Sequence, residues 1–155
     1  MNTQHWPRWI WASCSKHFDA RKQTLPMFVE GHDRLSNPID NLEFRLNGPN
    51  IQEVSKGCYI VDVEINILVT SIKDEMDAHK IHRNTGIAVA AFTNLINVYK
   101  YGTGDEDDQS LLGCLILQTG RQEAIIVTQF GQVQDTNNIL VSTVEAHYRM
   151  ELTER

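Results

Sequence analysis

Few residues in this chain have the type and spacing to do chemistry. His79-x-x-His82 places two imidazoles three positions apart in a stretch with helical periodicity, where they share a face, and Asp77 is close by. Such a pair is half of a metal site, which still needs a third and fourth ligand and groups to orient them. The polar face of a solvated helix gives the same residues with no metal at all. Asp105-Glu106-Asp107-Asp108 offers carboxylates that Ca²⁺ or Mg²⁺ would accept. It lacks the spaced ligands and distal glutamate of an EF-hand, and a charge run on a loop is ordinarily just solvated.

Cys14, Cys58 and Cys114 are far apart, odd in number and without a C-x-x-C, so neither a disulfide framework nor a zinc ribbon is favoured and a reducing compartment suits them. Cys58 opens a long strand and Cys114 lies in an apolar one; both read as small core residues rather than nucleophiles. His147 falls on the polar side of an alternating segment, with no sequence neighbour to make it a general base. Gly102 and Gly104 look superficially like a phosphate loop, but they lead into carboxylates, which repel phosphate. G-x-G-x-x-G, P-loop, G-x-S-x-G and H-E-x-x-H motifs are all missing. The residues indicate no catalytic group, no cofactor and no resident metal.

The whole chain supports that direction. It has 155 residues, 41% hydrophobic and 22% charged, which is ordinary globular usage for one domain over 1–155. A formal charge of −6 argues against a protein that coats phosphate backbones, because cations must prevail wherever counterions are displaced. The longest apolar stretches fall short of the roughly 20 residues needed to cross a bilayer. Met1 to Arg8 lacks the basic-then-apolar pattern of a secretory signal.

Hydrophobic periodicity supplies the elements. Trp6, Trp9, Ile10, Cys14 and Phe18 recur at helical intervals, predicting a helix over about 5–23 with Pro7 in its first turn. Trp6 and Trp9 suit a core-facing stripe, while Trp11 points elsewhere; the trio also suits association, since interface cores are rich in tryptophan. A short strand follows at Leu25 to Gly31. Leu42 to Leu46 alternates, then reaches the turn-forming Asn47-Gly48-Pro49. Tyr59 to Val69 is apolar at every second position, the clearest strand and the expected spine of a sheet. Ile51 and Val54 suggest that this strand and its neighbour extend together as a projecting β-arm, a floppy loop being the alternative.

Ser71 and Asp74 have capping-box spacing, and Ile81, Thr85, Ala88, Phe92, Leu95 and Tyr99 trace one helical face to about Tyr101, with Gly86 as a weak point. Leu111 to Gln118, Ala124 to Phe130 and Leu140 to Leu152 are strands, and with no helix between them they are expected to be antiparallel neighbours. The expected class is α+β, a mostly antiparallel sheet packed against two helices.

This order of parts resembles that of the tail terminator proteins of long-tailed bacteriophages, the lambda-type minor tail protein that caps the tail tube. The likeness spans about residues 5–152. It rests on the amphipathic first helix; Phe28-Val29-Glu30-Gly31; Phe44-Arg45-Leu46-Asn47-Gly48; and the long arm into Asp62-Val63-Glu64-Ile65-Asn66-Ile67-Leu68-Val69. A helix opening with Asp74 and Asp77, the Asp105 to Asp108 loop and the final Tyr148-Arg149-Met150-Glu151-Leu152 complete it. The tryptophan-rich first helix and the three cysteines depart from the family's pattern.

The resemblance implies a virion protein of the tail and neck, assembled in the host cytoplasm. It would form a homo-oligomeric ring, a hexamer, that caps the tube protein and stops its polymerisation. It would also meet the head-completion or connector protein, and let genomic DNA pass through its lumen without sequence-specific contact. Trp6, Trp9, Trp11, Ile51 and Val54 are then the candidate subunit or tube contacts. Asp105, Glu106, Asp107 and Asp108, with Asp62 and Glu64, are candidates for an acidic lumen or surface. Six copies would carry a formal charge of about −36, which repels DNA phosphates instead of trapping them. Another ring component of the head–tail joint or tube is the nearest alternative; a small host α+β enzyme or ligand-binding domain is a third.

Overall fold

The computed structural model describes residues 3–31, 39–101, 110–120, 124–132 and 138–153. After a 3₁₀ turn come α1 (Trp6–Asp19), β1 (Met27–Val29), β2 (Asn41–Ser55), β3 (Cys58–Ile72), α2 (Lys80–Ala91), β4 (Leu95–Tyr99), β5 (Leu111–Leu117), β6 (Ile125–Gln132) and β7 (Ile139–Thr153). The class is α+β. The sheet runs β1-β2-β3-β7-β5-β4, with β6 also on β7. Its ladders are antiparallel except for β1 on β2, which is parallel.

β3 is the spine. It pairs with β2 on one edge and with β7 on the other, from Cys58↔Thr153 to Ile72↔Ile139. Val61, Val63, Ile65, Ile67 and Val69 are buried on one face, met by Val144, Ala146, Tyr148 and Met150 of β7. Period-two alternation over two fifteen-residue strands can bury only one face of each, and that face is where the helices lie.

α1 sets Trp6 edge-on to Tyr59 (5.3 Å between ring centroids) and Phe18 against Phe44 and Phe92 (5.7 and 4.9 Å). α2 buries Ile81, Asn84, Thr85, Ala88 and Ala91 over the other end of the same face. There Thr85 Oγ1 and Ser142 Oγ are 2.7 Å apart, and Asn84 Nδ2 donates to Ser71 Oγ at 2.9 Å. These bonds satisfy the polar groups buried under the helix, which would otherwise each cost about 1–3 kcal/mol.

Three sequence expectations need correction. First, the helix expected from Ser71 to Tyr101 is only Lys80–Ala91. Ser71 belongs to β3 and bonds Asn84, while Asp74 Oδ1 accepts Met76 N–H in a local turn, so no capping box forms. Leu95 to Tyr99 is a strand, with Ile96 and Val98 buried and Leu95 and Asn97 exposed. Leu95 and Tyr99 fit a four-residue helical spacing, but β-branched Ile96 and Val98 fit period two, and that pattern prevails beyond Thr93-Asn94.

Second, Asn47-Gly48-Pro49 is not a turn. β2 runs through it with an irregularity between Asn47 and Asn50, and the Gly48–Pro49 bond is cis. Gly48 has φ +105°, and a Cβ there would stand 3.0 Å from the carbonyl oxygen of Asp62, so glycine is what lets the strand pass. The chain reverses instead at Lys56-Gly57. Third, β5 and β6 do not pair with each other. They lie end to end along one edge of β7, β5 at Tyr148 and Arg149 and β6 from Ala146 to Leu140.

α1 is shorter than expected, ending at Asp19 rather than about residue 23. Gly86 lies on the exposed side of α2, where a Cβ would meet nothing within 4 Å. Gly86→Ala is therefore expected to stabilise the monomer by about 0.5–1 kcal/mol, read as a higher urea midpoint with an unchanged slope.

Candidate assembly surfaces

The tryptophans separate according to the face of α1 they occupy. Trp6 and Trp9 are buried, and Trp9 Nε1 donates to the Tyr101 carbonyl at 2.6 Å. Both are core residues of the monomer, so as candidate subunit contacts they are corrected: they present almost no surface. Trp11 is 45% exposed, its ring edge-on to Phe44 at 6.3 Å. Of the two arm residues, Val54 is exposed and Ile51 is partly buried against the core. The end of the β2–β3 hairpin is backed by β7 as far as Thr153 and is therefore three strands wide. Among the described residues, what is left uncovered is the outer edge of β2, since β1 shields only Leu42 to Phe44.

The sheet face opposite the helices is polar. Register brings Arg45, Asn66 and Glu145 into one row, and Asn47, Glu64 and His147 into the next. Arg45 Nε donates to Glu43 Oε2 at 2.6 Å, and Arg149 Nε to Asp62 Oδ1 at 2.9 Å. The second pair is half exposed on both sides and adds little stability. Asn66 Oδ1 is buried with no hydrogen-bond partner.

Glu64 and Glu145 are diagonal neighbours across β3 and β7, two like charges on one face. Partial burial raises the Glu145 pKa, the neighbouring Glu64 carboxyl raises it further, and His147 opposes them. A carboxyl whose folded pKa is raised contributes stability that is complete below its unfolded pKa and is lost as pH rises through the folded one. Glu145→Gln should therefore raise the melting temperature at neutral pH, by about 0.5 kcal/mol as for like charges across a sheet, and give no gain in acid. Thermal melts at the two pH values check this. His147 is thus flanked by Glu64 and Glu145, a grouping that only cross-strand register makes.

His79 and His82 are exposed at the start of α2, and the Asp77 carboxylate is taken by Arg83 at 2.7 Å. That ion pair holds the Asp77 carboxyl below the usual carboxylate range. Among the described residues, no three of His, Cys, Asp and Glu are grouped to hold a metal ion. Cys14 is the core cysteine, its thiol pushed up to about 12 by burial and hence unreactive. Cys58 and Cys114 are half-buried rather than core residues, and Cys114 Sγ donates to Asn97 Oδ1 at 3.1 Å on the neighbouring strand. Asp105, Glu106, Asp107 and Asp108 lie outside the described residues.

Among the described residues, two grooves stand out. One of about 490 Å³ lies between α2 and the segment before β1, lined by Gln23, Thr24, Leu25, Asp40, Arg83 and Asn84 among others. Its charges are already matched: Asp40 takes Lys80 at 2.9 Å and the Ile72 N–H at 2.8 Å, and Arg83 takes Asp77. It ties the β2 entrance to α2. The second, about 310 Å³, separates α1 from β4; there His17 Nε2 stands 3.1 Å from the carbonyl oxygen of Ala91, and burial, then Arg21, lower its pKa.

Sequence reading missed two exposed apolar residues, Val127 (44%) and Phe130 (56%), both on β6. The β-branched run marks the strand, but its edge position depends on β7 beyond it. Among the described residues, no helix is long and apolar enough to cross a membrane. No family model matches the sequence, and no curated protein is significantly similar to it.

Proposed function

We propose that this chain is a structural, ring-forming protein of a phage tail, a terminator that caps the tail tube, ends its polymerisation and offers a joining surface to the head connector. The observation that carries the reading is the long β2–β3 hairpin, with Val54 exposed near its end and a β2 edge that no described strand covers beyond Phe44, together with the exposed Trp11 of α1 against Phe44. Uncovered edges and exposed large side chains are liabilities in a monomer and useful in a closed assembly, where neighbouring subunits cover them. The hairpin does not project alone as the expected β-arm, because β7 backs it as far as Thr153, and the surface proposed for assembly is its β2 side. The matched charges of the larger groove also favour a shape-based role over turnover. The polar sheet face, with Asp62 and Glu64, is the candidate lumen surface, where net negative charge keeps DNA from sticking.

Electron micrographs of the protein mixed with tail tubes test this directly. Rings seated on one end of each tube, with elongation halted, are the expected result. Incorporation along the tube would favour the tube-component alternative, and no association would overturn both. Val54→Glu should leave the monomer's melting temperature within about 0.5 kcal/mol of the parent, as for other surface changes, yet abolish capping. Normal capping by this variant would remove the arm from the interface.

A further inference from the structure

Charge is unevenly shared along this acidic chain. Residues 1–29 contain Arg8, Lys16, Arg21 and Lys22 against the single acid Asp19, a net +3, and the total of −6 therefore leaves −9 for the rest. α1 and the turn after it are the basic part of the protein. Asp19 is taken by Lys22 at 2.9 Å. Lys16 and Arg21 are exposed and line the groove between α1 and β4, together with Asn97, Tyr99 and Tyr101 and with no described carboxylate. Lys16 Nζ lies 4.3 Å from the centre of the Tyr101 ring, and Arg21 donates to the His17 carbonyl at 3.0 Å. Among the described residues neither cation has an acidic partner. Leu95, 54% exposed, adds an apolar rim. Such a groove suits an anionic segment that also carries an apolar side chain.

The described surface holds one. Between β3 and α2, Asp74, Glu75 and Met76 form an exposed turn, and Met76, at 95%, is the most exposed large apolar residue described. Asp74 Oδ1 accepts the Met76 N–H at 2.9 Å, which fixes the turn. Nearby Asp77 and Asp40 are taken by Arg83 and Lys80, whereas Asp74 and Glu75 have no ion-pair partner among the described residues. With Lys73 beside them the turn is still net negative. We infer that this turn of one copy seats in the α1–β4 groove of another, head to tail. Asp74 and Glu75 then face Lys16 and Arg21, and Met76 lies against Leu95 and the tyrosine rings, a contact that a thioether makes well.

The turn and the groove lie at opposite ends of α2, so one chain does not satisfy both. His17 of the groove stands 3.1 Å from the carbonyl oxygen of Ala91, which ends α2, whereas the turn precedes Lys80, which begins it. The twelve residues between them span about 18 Å. Two separate, complementary patches on one chain make a heterologous contact, the kind that closes into a ring when its rotation permits. The inference rests on the reading of a self-assembling ring and supplies it with a subunit contact. It is tested without tail tubes, so the two can fail separately.

Sedimentation velocity over a concentration series at low ionic strength tests the contact with two variants of unchanged circular dichroism. The groove variant Lys16→Glu, Arg21→Glu moves the formal charge from −6 to −10, and the turn variant Asp74→Lys, Glu75→Lys moves it to −2. The wild type should self-associate reversibly, and less so in salt. Each variant alone should associate about tenfold more weakly or worse, because like charges then meet. Net repulsion by itself predicts the reverse for the turn variant, whose lower charge favours association. An equimolar mixture should recover, since the intact turn of one variant meets the intact groove of the other. A wild type monomeric at every concentration, a turn variant as strong as the wild type, or a mixture as weak as its parts overturns the inference. Rescue of the groove variant by reversing Asp105 to Asp108 instead would give the groove to that run and overturn it too. Should a variant not fold, carbodiimide coupling of wild type mixed from two isotopic labels decides. Lys16 should join Asp74 or Glu75 across chains, and the absence of that cross-link refutes the contact. Tube capping remains a separate readout that bears on the ring.

Discussion

Ile65→Asp should leave no cooperatively folded protein at room temperature. Ile65 is fully buried in the centre of β3, opposite Leu46 on β2 and Ala146 on β7, so an aspartate has no partner and no route to water. Removing the buried aliphatic group costs about 2–5 kcal/mol. An uncompensated buried carboxylate adds about 3–5 kcal/mol, or drives its own protonation at similar expense. Together these come to about 5–10 kcal/mol, comparable with the roughly 5–15 kcal/mol that holds a domain of ordinary stability. Val63→Asp, two residues along the same face, should behave alike. Ile65→Val, which removes one methylene, should cost only about 1 kcal/mol and shows that the site rather than mutagenesis is responsible. Circular dichroism with urea titration decides the matter. A folded Ile65→Asp protein of unchanged stability would mean that β3 turns its other face to the helices.

The spine was readable because alternation over eleven residues admits one answer, and β7 announced itself in the same way. Legibility failed where two periods competed over a few residues. Leu95 and Tyr99 continue the helical spacing of Ile81 to Phe92, while Ile96 and Val98 impose a strand, and only packing under α1 decides between them. Asn47-Gly48-Pro49 failed for another reason. Turn chemistry and bulge chemistry use the same residues, and the choice depends on whether Asn50 and Ile51 find partners on β3. The assembly surfaces were half legible. The helical stripe separates Trp6 and Trp9 from Trp11, but that separation was not carried through to the candidate contacts. The grouping of Glu64, Glu145 and His147, like the pairing of β6 with β7 beyond the end of β5, follows from strand order, which local sequence does not encode.

Phe18→Ala is the second large effect expected, and comparison with Trp11→Ala makes it diagnostic. Both residues belong to α1 and both rings approach Phe44, Phe18 at 5.7 Å and Trp11 at 6.3 Å. A sequence reading that weighs aromatic size alone would rank Trp11 as the greater loss. Burial reverses the order. Phe18 is fully enclosed and also meets Phe92 edge-on at 4.9 Å, so it joins α1 to β2 and to the end of α2 in one cluster. Its truncation leaves a cavity bounded by three elements that cannot all collapse into it, at a cost of about 3–5 kcal/mol. Trp11 loses an edge contact worth about 0.5–1.5 kcal/mol and little else, because much of its ring is already in water. Urea melts of the two variants should therefore differ by at least about 1.5 kcal/mol, Phe18→Ala being the weaker protein. Tube capping should order them the other way once each is assayed where it is folded, because the exposed indole is the one a neighbouring subunit can reach. If Trp11→Ala destabilises the monomer as much as Phe18→Ala, α1 is docked through a different face, and Trp11 belongs to the core rather than to any surface of association.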